Sequence, residues 1–472
     1  MTKKFYITAA IPYVNAPPHI GHALEFIQVD TIARFHKLIG DKVTTLTGSD
    51  ENALKNVQAA EKAGIPVQEF VDKNAQLFLE LTKKLNTPFD VFQKGTSPNH
   101  FQSSQELWNK CFEKGDIYKK NYEGLYCIGC ETFYTDTELN DKGECFEHPG
   151  KKLENVAEIN YFFKLSSYQK QLIELISKDE LKIYPDFRKN EVLSFLKQPL
   201  KDISISRSNK RTKNWGVPVP NDPTQRMYVW FDALNIYRSG VEETIWPADV
   251  HVIGKGIIRF HAVYWPAFLL SAGLPLPKAV FVHGYLTVNG QKMSKTIGNI
   301  IDPLEIISKY GVDALRYYLL REIPPFDDGD FSYRRLDEVY SSDLANELGN
   351  LVSRITNLAE KYGIPGEELT TDEKNHALVD ISILLAKYKF NEALEFIWHF
   401  IKNRNRKLDE KAPWNNSLHR TVIISETLKS LAEIGLMLTP FLPETAEKII
   451  KSVTAKKITK ISPLFPRLTL NT

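Results

Sequence analysis

Residues 4–48 constrain what this chain can fold into more tightly than any other stretch. KFYITAA is aromatic and β-branched, NAPPHIGHALEF is a proline-rich turn running into an amphipathic segment, and KVTTLTG is strand-like again. Ile20, Leu24, Ile27, Phe35 and Leu38 fall at roughly helical spacing and Gly40 ends the pattern, so the stretch reads as strand, loop, helix, strand. Such a unit is a mononucleotide-binding half of a doubly wound α/β sheet, where ligands sit beyond the carboxyl ends of the strands. His19 and His22 are therefore expected at a ligand crevice. MYVWFDA, DVHVIGKG and AVFVHGYLTV read as strands that resume the sheet, and from SSDLANELGNLVSRITNLAEKYG onward the chain turns to long helical patterns.

The remaining composition narrows the class. A length of 472 residues suggests about three domains. Sixty basic against fifty-eight acidic residues leave a formal charge of +2, so a nucleic-acid partner would be met by local patches such as SRSNKRTKNWG and IKNRNRKLDEK rather than by a global field. Either patch alone reads as an ordinary solvated face. The apolar run at the N-terminus is too short for a signal peptide, and AVYWPAFLLSAGLPLPKAVFV is broken by Pro266, Pro275 and Pro277, so no membrane segment is expected. Four cysteines, three of them close together, argue against a disulfide framework and for a cytoplasmic location.

Chemistry enters with two short motifs. His19-Ile20-Gly21-His22 opens a helix, where free amides and the dipole favour negative charge, imidazoles can donate to phosphoryl oxygens, and glycine lets a nucleotide approach the backbone. Two histidines there also suit a capped surface turn. NGQKMSKTIGN places Lys292 and Lys295 on a glycine-bounded loop after a late strand. Two ammonium groups able to swing onto a triphosphate would stabilise attack at an α-phosphorus without a covalent enzyme intermediate; alone, the loop reads as exposed and basic.

Together, HIGH and KMSKT resemble the paired signature of class I aminoacyl-tRNA synthetases, and within that class the sequence is similar to the methionine-specific branch along nearly its whole length. AAIPYVNAPPHIGH, TGSDEN, YVWFDALNIY, GKGIIRFHAVYWPA, FVHGYLTVNGQKMSK, NELGNLVSR and DEKAPW carry the resemblance in order. It implies a Rossmann-type catalytic domain in two halves (1–113 and 164–320, the second with the KMSKT loop), a connective insertion (114–163), a stem-contact linker (321–342) and a helical anticodon-binding domain (343–472). The implied catalytic residues are His19, His22, Lys292 and Lys295, with Gly21, Lys255, His283, Gly284 and Ser294 on ATP. Ile11, Tyr13, Trp230, Ala233, Leu234, Tyr237, Ile257 and His261 would line a methionine pocket, with Asp50 on the ammonium group. Aromatic walls suit a polarizable thioether, although Phe260 reads equally as core and Asp232, at an expected strand end, as a structural carboxylate. ATP, Mg2+, L-methionine and tRNA(Met), including the initiator, are the implied cofactors and partners, and a monomer is expected.

Cys127-x-x-Cys130 followed by Cys145-x-x-His148 offers three thiolates and an imidazole in a segment that reads as strand-poor. Four protein ligands with no open position make a structural Zn2+ site, while Cys111 stands outside the pattern as a buried apolar residue. Asn350 and Arg354 lie one helical turn apart, and Trp414 follows a proline. An indole for stacking and two polar side chains for base edges are what single-stranded RNA readout needs, and the resemblance assigns them to the CAU anticodon. Without it, Trp414 reads as a packing residue and Arg354 as a salt-bridge partner. Three departures from the family pattern occur: Asn52-Ala53 in place of His-Gly, Gly256 in place of aspartate, and Thr296 in place of serine. Two rivals remain at this level, a cysteinyl or other ligase of the same class and a catalytically silent tRNA-binding relative.

Overall fold

The computed structural model describes residues 2–127, 132–134, 139–147, 150–293, 298–415 and 418–468. They form two compact units, each discontinuous in sequence: Met1–Pro18, Asp41–Lys83 and Pro88–His283 make the first, and His19–Gly40, Lys84–Thr87 and Gly284–Thr472 the second.

The first unit is built on a six-stranded parallel sheet. Its order is Val91–Lys94 (β3), Lys42–Ser49 (β2), Lys4–Ala9 (β1), Val250–Gly254, Ala279–His283 and Lys182–Tyr184. After Lys4 every residue of β1 is buried, as a parallel strand covered on both faces requires. β1 pairs with β2 on one side and with Val250–Gly254 on the other, so the strand order switches direction there and the carboxyl ends of β1 and Val250–Gly254 flank the place where such sheets bind ligands. Trp108, Phe231, Phe268 and Phe163 form an edge-on and tilted aromatic stack in the core, with centroids 4.7–5.3 Å apart. Cys111 is buried among them, as expected, its Sγ 3.6 Å from the Phe268 carbonyl and its thiol pushed up to about 12 by burial.

Three strand expectations change. MYVWFDA is not a sheet strand: Met227 ends Asp222–Met227, which pairs antiparallel with Ser206–Ser208, and Val229–Ala233 is a short helix. Trp230, Ala233 and Leu234 fall at i, i+3 and i+4 and are all buried, so one helical face wins over β-propensity. AVFVHGYLTV divides into Ala279–His283 and Leu286–Val288, in different sheets. Gly284 sits in the break, where a Cβ would fall 2.2 Å from the Asp327 carbonyl oxygen. The insertion is not strand-poor either. Ile117–Cys127 and Glu154–Phe163 pair antiparallel from Ile117↔Phe163 to Tyr126↔Glu154, with Lys119 and Lys120 over the Tyr161 and Phe162 rings.

The second unit is mainly helical. Helix α1 (Ile20–Leu38) packs with Val312–Arg321, and a three-stranded sheet of Gln291–Lys292, Leu286–Val288 and Gly329–Phe331 lies in the same unit. Tyr333–Val339 runs through a π-helical stretch, Tyr340–Gly349, into Asn350–Tyr362. Thr371–Leu385, Phe390–Lys411, Arg420–Leu438 and Pro443–Val453 follow. Arg316 is fully buried at their junction: its guanidinium meets Asp30 Oδ2 at 2.7 Å, the Phe441 and Pro440 carbonyls at 2.7 and 3.1 Å, and the Leu85 and Asn86 carbonyls at 3.4 and 3.5 Å. Among the described residues no helix is long and apolar enough to cross a membrane.

Candidate active site

The start of α1 shows how the backbone assigns protons. His19 is the N-cap, extended at φ −140° and ψ 176°. The Gly21 N–H donates to His19 Nδ1 and the His19 N–H donates to His22 Nδ1, both at 3.1 Å. A ring nitrogen that accepts carries no proton, so each imidazole is neutral and bears its hydrogen on Nε2. Burial and the neighbouring His19 hold His22 well below the ordinary histidine value in addition. The rings lie 3.9 Å apart, tilted by 30°. No acidic side chain occupies the first turn of α1, so the result is two N–H donors at the positive end of a helix dipole, an arrangement that suits an anion.

The lysine motif belongs to the same unit. Leu286–Val288 turns back into Gln291–Lys292 through Asn289 and Gly290, both at positive φ (49° and 75°), as a two-residue hairpin requires. Asp330 clamps the turn, Oδ1 accepting from the Gly290 N–H at 2.7 Å and from the Thr287 hydroxyl at 2.6 Å. Met293, the residue between the motif's first lysine and Ser294, comes against α1: its Cε lies 3.6 Å from where a Cβ on Gly21 would stand, and His19 Cε1 lies 3.0 Å from the same point. Past the loop, the Ile301 carbonyl accepts from the Ile20 N–H at 3.1 Å. The two motifs thus touch. The Lys292 side chain, Ser294, Lys295 and Thr296 lie outside the described residues.

The expected methionine residues gather in the first unit. Tyr13 and Asp50 form a parallel bridge just past β1 and β2, with the Lys55 ammonium 2.9 Å from the Tyr13 ring centroid. The Tyr13 ring meets Trp230 edge-on at 6.2 Å, and Phe260 stacks on Trp230 at 3.8 Å and 3°. Among the described residues Trp230 Nε1 is buried without a hydrogen-bond acceptor. Tyr237 Oη lies 2.8 Å from His261 Nε2, while His261 Nδ1 lies 3.0 Å from the Ile257 carbonyl. The carbonyl can only accept, so Nδ1 carries the proton and the Tyr237 hydroxyl donates to Nε2. Burial lowers His261 to about 4. Ala233 and Leu234 are buried and Ile11 and Ile257 half-buried beside this cluster. At the strand ends Gly254 registers with His283, whose Cε1 is 3.5 Å from a Cβ built on Gly254, and Lys255 follows directly.

Asp232 meets other buried side chains. It is on the short helix, buried, accepts from Asn52 Nδ2 at 2.6 Å and has His100 Nε2 at 3.5 Å. Asn52, one of the departures, also donates to the Gly95 carbonyl at 2.9 Å, so the amide fills a structural slot between two chain segments. In the insertion the buried Cys127 and Cys145 sulfurs converge to 3.3 Å, too far for a disulfide and close enough for one tetrahedral ion. Cys130 and His148 lie outside the described residues, among which no three metal-ligating side chains gather. In the second unit the Arg354 guanidinium is 5.2 Å from the Trp414 ring and pairs with Asp409 at 2.6 Å. Trp414 remains 37% exposed and Asn350 exposed. Asp409 opens the DEKAPW stretch without having been singled out, while Arg420 donating to the Pro413 carbonyl at 2.7 Å, Met293 against Gly21 and Lys55 over Tyr13 are pairings that no sequence motif announced.

Comparison with known proteins shows the family. Residues 5–356 match the family model described as tRNA synthetases class I (M). The chain is 42% identical to the methionine–tRNA ligase of Thermotoga maritima over 481 aligned positions, covering 95% of this chain and 75% of that one. It is 41% identical to the Brucella suis methionine–tRNA ligase, covering 95% and 91%. The structure of Mycobacterium tuberculosis methionyl-tRNA synthetase in complex with methionyl-adenylate superposes with a TM-score of 0.90 at 36% identity, covering 99% of this chain and all of that one.

Proposed function

The chain belongs to the class I tRNA synthetases of the methionine type, and on that premise we propose that it activates L-methionine with ATP to methionyl-adenylate and pyrophosphate. The methionyl group then passes to the 3′ end of tRNA(Met), initiator included. The observation that carries this reading is the pair of Nε2–H donors at the α1 N-terminus with Met293 of the lysine loop packed against Gly21. A triphosphate is the ligand that such donors suit.

A methionine carboxylate oxygen attacks the α-phosphorus and the bond to the bridging oxygen breaks. His19 and His22 hold phosphoryl oxygens as charge builds, and Lys292 and Lys295 neutralise the departing pyrophosphate. Gly21, Lys255, His283, Gly284 and Ser294 contact the nucleotide, whose phosphate charge Mg2+ offsets when bound. Asp50 takes the ammonium group. Ile11, Tyr13, Trp230, Ala233, Leu234, Tyr237, Ile257 and His261 surround the thioether, and the buried, neutral His261 keeps that end uncharged. A methylene is worth only about 1–3 kcal/mol in such a pocket, so homocysteine enters as a minor substrate. Asn350, Arg354 and Trp414 read the anticodon. Cys127, Cys130, Cys145 and His148 would hold Zn2+, which would supply a structural cross-link to the insertion, and the enzyme works as a cytoplasmic monomer.

The test is ATP–pyrophosphate exchange across the standard amino acids, with Lys292→Ala as control. Exchange with methionine alone, lost in the control, supports the reading. Exchange with cysteine or another amino acid overturns the pocket assignment, and no exchange in protein that still binds tRNA identifies a catalytically silent relative.

A further inference from the structure

Beside the pocket tyrosine lies a buried imidazole with no role in the mechanism above. His251, on strand Val250–Gly254, is fully buried, and its register partner on β1 is Thr8, equally buried, whose Oγ1 is 2.7 Å from His251 Nδ1. The tautomer follows from counting partners. A proton on Nδ1 would leave both the Thr8 hydroxyl hydrogen and the Nε2 lone pair unmatched in an apolar interior. With Thr8 donating to Nδ1, only the Nε2–H is left over, and the second arrangement is cheaper by one buried polar group.

That Nε2 is buried and meets no oxygen or nitrogen partner among the described residues. What His251 does meet is the ring of Tyr237, 4.4 Å away between centroids and inclined by 39°; an aromatic face is a weak acceptor for an N–H. Tyr237 is fixed at two further points, its carbonyl accepting from the Tyr6 hydroxyl at 2.6 Å and its own hydroxyl donating to His261. Thr8, His251, Tyr237 and His261 therefore form one run from the middle of β1 to the thioether end of the pocket.

We infer that His251 is a positioning residue for methionine selection: held by Thr8 with its hydrogen on Nε2, it supports the Tyr237 ring so that the phenol–imidazole pair with His261 meets the substrate side chain. The inference rests on the proposed assignment of Tyr237 and His261 to the methionine pocket. A merely structural histidine would affect stability and both substrates alike, whereas this one acts on methionine alone.

The experiment is methionine- and ATP-dependent pyrophosphate exchange in His251→Phe, Tyr237→Phe and the double variant. In His251→Phe the KM for methionine is expected to rise about tenfold with kcat and the KM for ATP within about twofold, as loss of a ground-state contact requires. On the Tyr237→Phe background the same change should have less than about a twofold effect, because coupled neighbours are not additive. An unchanged methionine KM in His251→Phe, or an undiminished rise in the double variant, overturns the inference. A silent Tyr237→Phe overturns the pocket assignment and the inference with it, while a defect there beside a silent His251→Phe overturns the inference alone. Should His251→Phe not fold, Thr8→Val decides: a rise of about threefold in the methionine KM supports the run, and no change refutes it.

Discussion

Replacing Gly21 by alanine tests whether the histidine pair works through its capped geometry. The new Cβ would lie 3.0 Å from His19 Cε1, 3.1 Å from His19 Nδ1 and 3.6 Å from the Met293 methyl. Carbon contacts are comfortable near 3.5–4.0 Å, and Met293 already stands at that distance on its side, so the His19 ring must give by about half an ångström. Its Nδ1 holds the Gly21 N–H at 3.1 Å, and a shift of that size stretches the cap and turns the Nε2–H away from its target. A weakened cap costs about 0.5–2 kcal/mol of stability. One preorganised donor lost from a developing oxyanion costs about 2.7–4 kcal/mol, or a hundred- to thousandfold in kcat. Methionine-dependent pyrophosphate exchange should therefore fall by that factor while the melting temperature drops only a few degrees. A variant exchanging within about threefold of the wild type, with melting unaltered, would show that the ring moves freely and that the capped geometry is not what catalysis uses.

The separation can be made from the other side with His19→Asn. Asparagine is a good N-cap but cannot place a donor where Nε2 stands, so melting should hold or rise while exchange falls about a hundredfold; equal exchange would deny His19 a phosphate contact. Arg316→Met leaves the Phe441, Pro440 and Leu85 carbonyls without its guanidinium, although Arg34 still pairs with Asp30 at 2.7 Å and donates to the Asn86 carbonyl at 2.8 Å. Removing one partner of a buried pair costs about 3–5 kcal/mol and the surviving Arg34 favours the lower end, an expected fall of about 6–12 °C in calorimetry for a unit of this size; a loss under about 2 °C would show that the buried Arg316 contacts contribute little to stability. Trp414→Ala removes a stacking plane worth about 1–3 kcal/mol per base, which should raise the tRNA KM at least about fivefold in aminoacylation and leave pyrophosphate exchange untouched. Finally, burial depresses His251 and His261, the latter to about 4. The unfolded chain takes up their protons below about 6.5 and the folded one does not, so stability is full above that pH and falls as pH drops towards 4. His261→Gln should show a shallower acid limb of melting temperature against pH, and an identical limb would contradict the assignment.

What could be read from the sequence follows from which interactions are local. The β1–α1–β2 pattern was legible because its apolar positions repeat within a turn or an alternation, and the His19 cap lies inside three consecutive residues. MYVWFDA misled because aromatic and β-branched residues favour strands. The i, i+3, i+4 spacing of Trp230, Ala233 and Leu234 was the available signal for the helix that formed. In the insertion the cross-strand pairing of Lys119 with Tyr161 needs a register that no single strand contains. The lysine loop, the histidine turn and the two halves of the zinc-type motif were visible as motifs. Nothing in one dimension says that Met293 will sit against Gly21, that Asn52 will clasp Asp232, or that Arg316 will reach Asp30 across almost three hundred positions.

The histidines show where the sequence stops and the fold takes over. Both α1 imidazoles have Nδ1 engaged by a backbone N–H, which puts the hydrogen on Nε2 and makes each Nε2 a donor. His261 is engaged in the opposite sense: a carbonyl holds its Nδ1–H, so Nε2 is an acceptor and takes the Tyr237 hydroxyl. The residue type is the same and the chemistry is reversed, and in each case the deciding partner is a main-chain group set by local helix geometry, an N-cap in one and an i−4 carbonyl in the other. A phosphate cannot be bound by an acceptor nitrogen and a phenol cannot donate to an N–H. Exchanging the two backbone environments would therefore move the hydrogen to the other ring nitrogen in each case with every side chain in place.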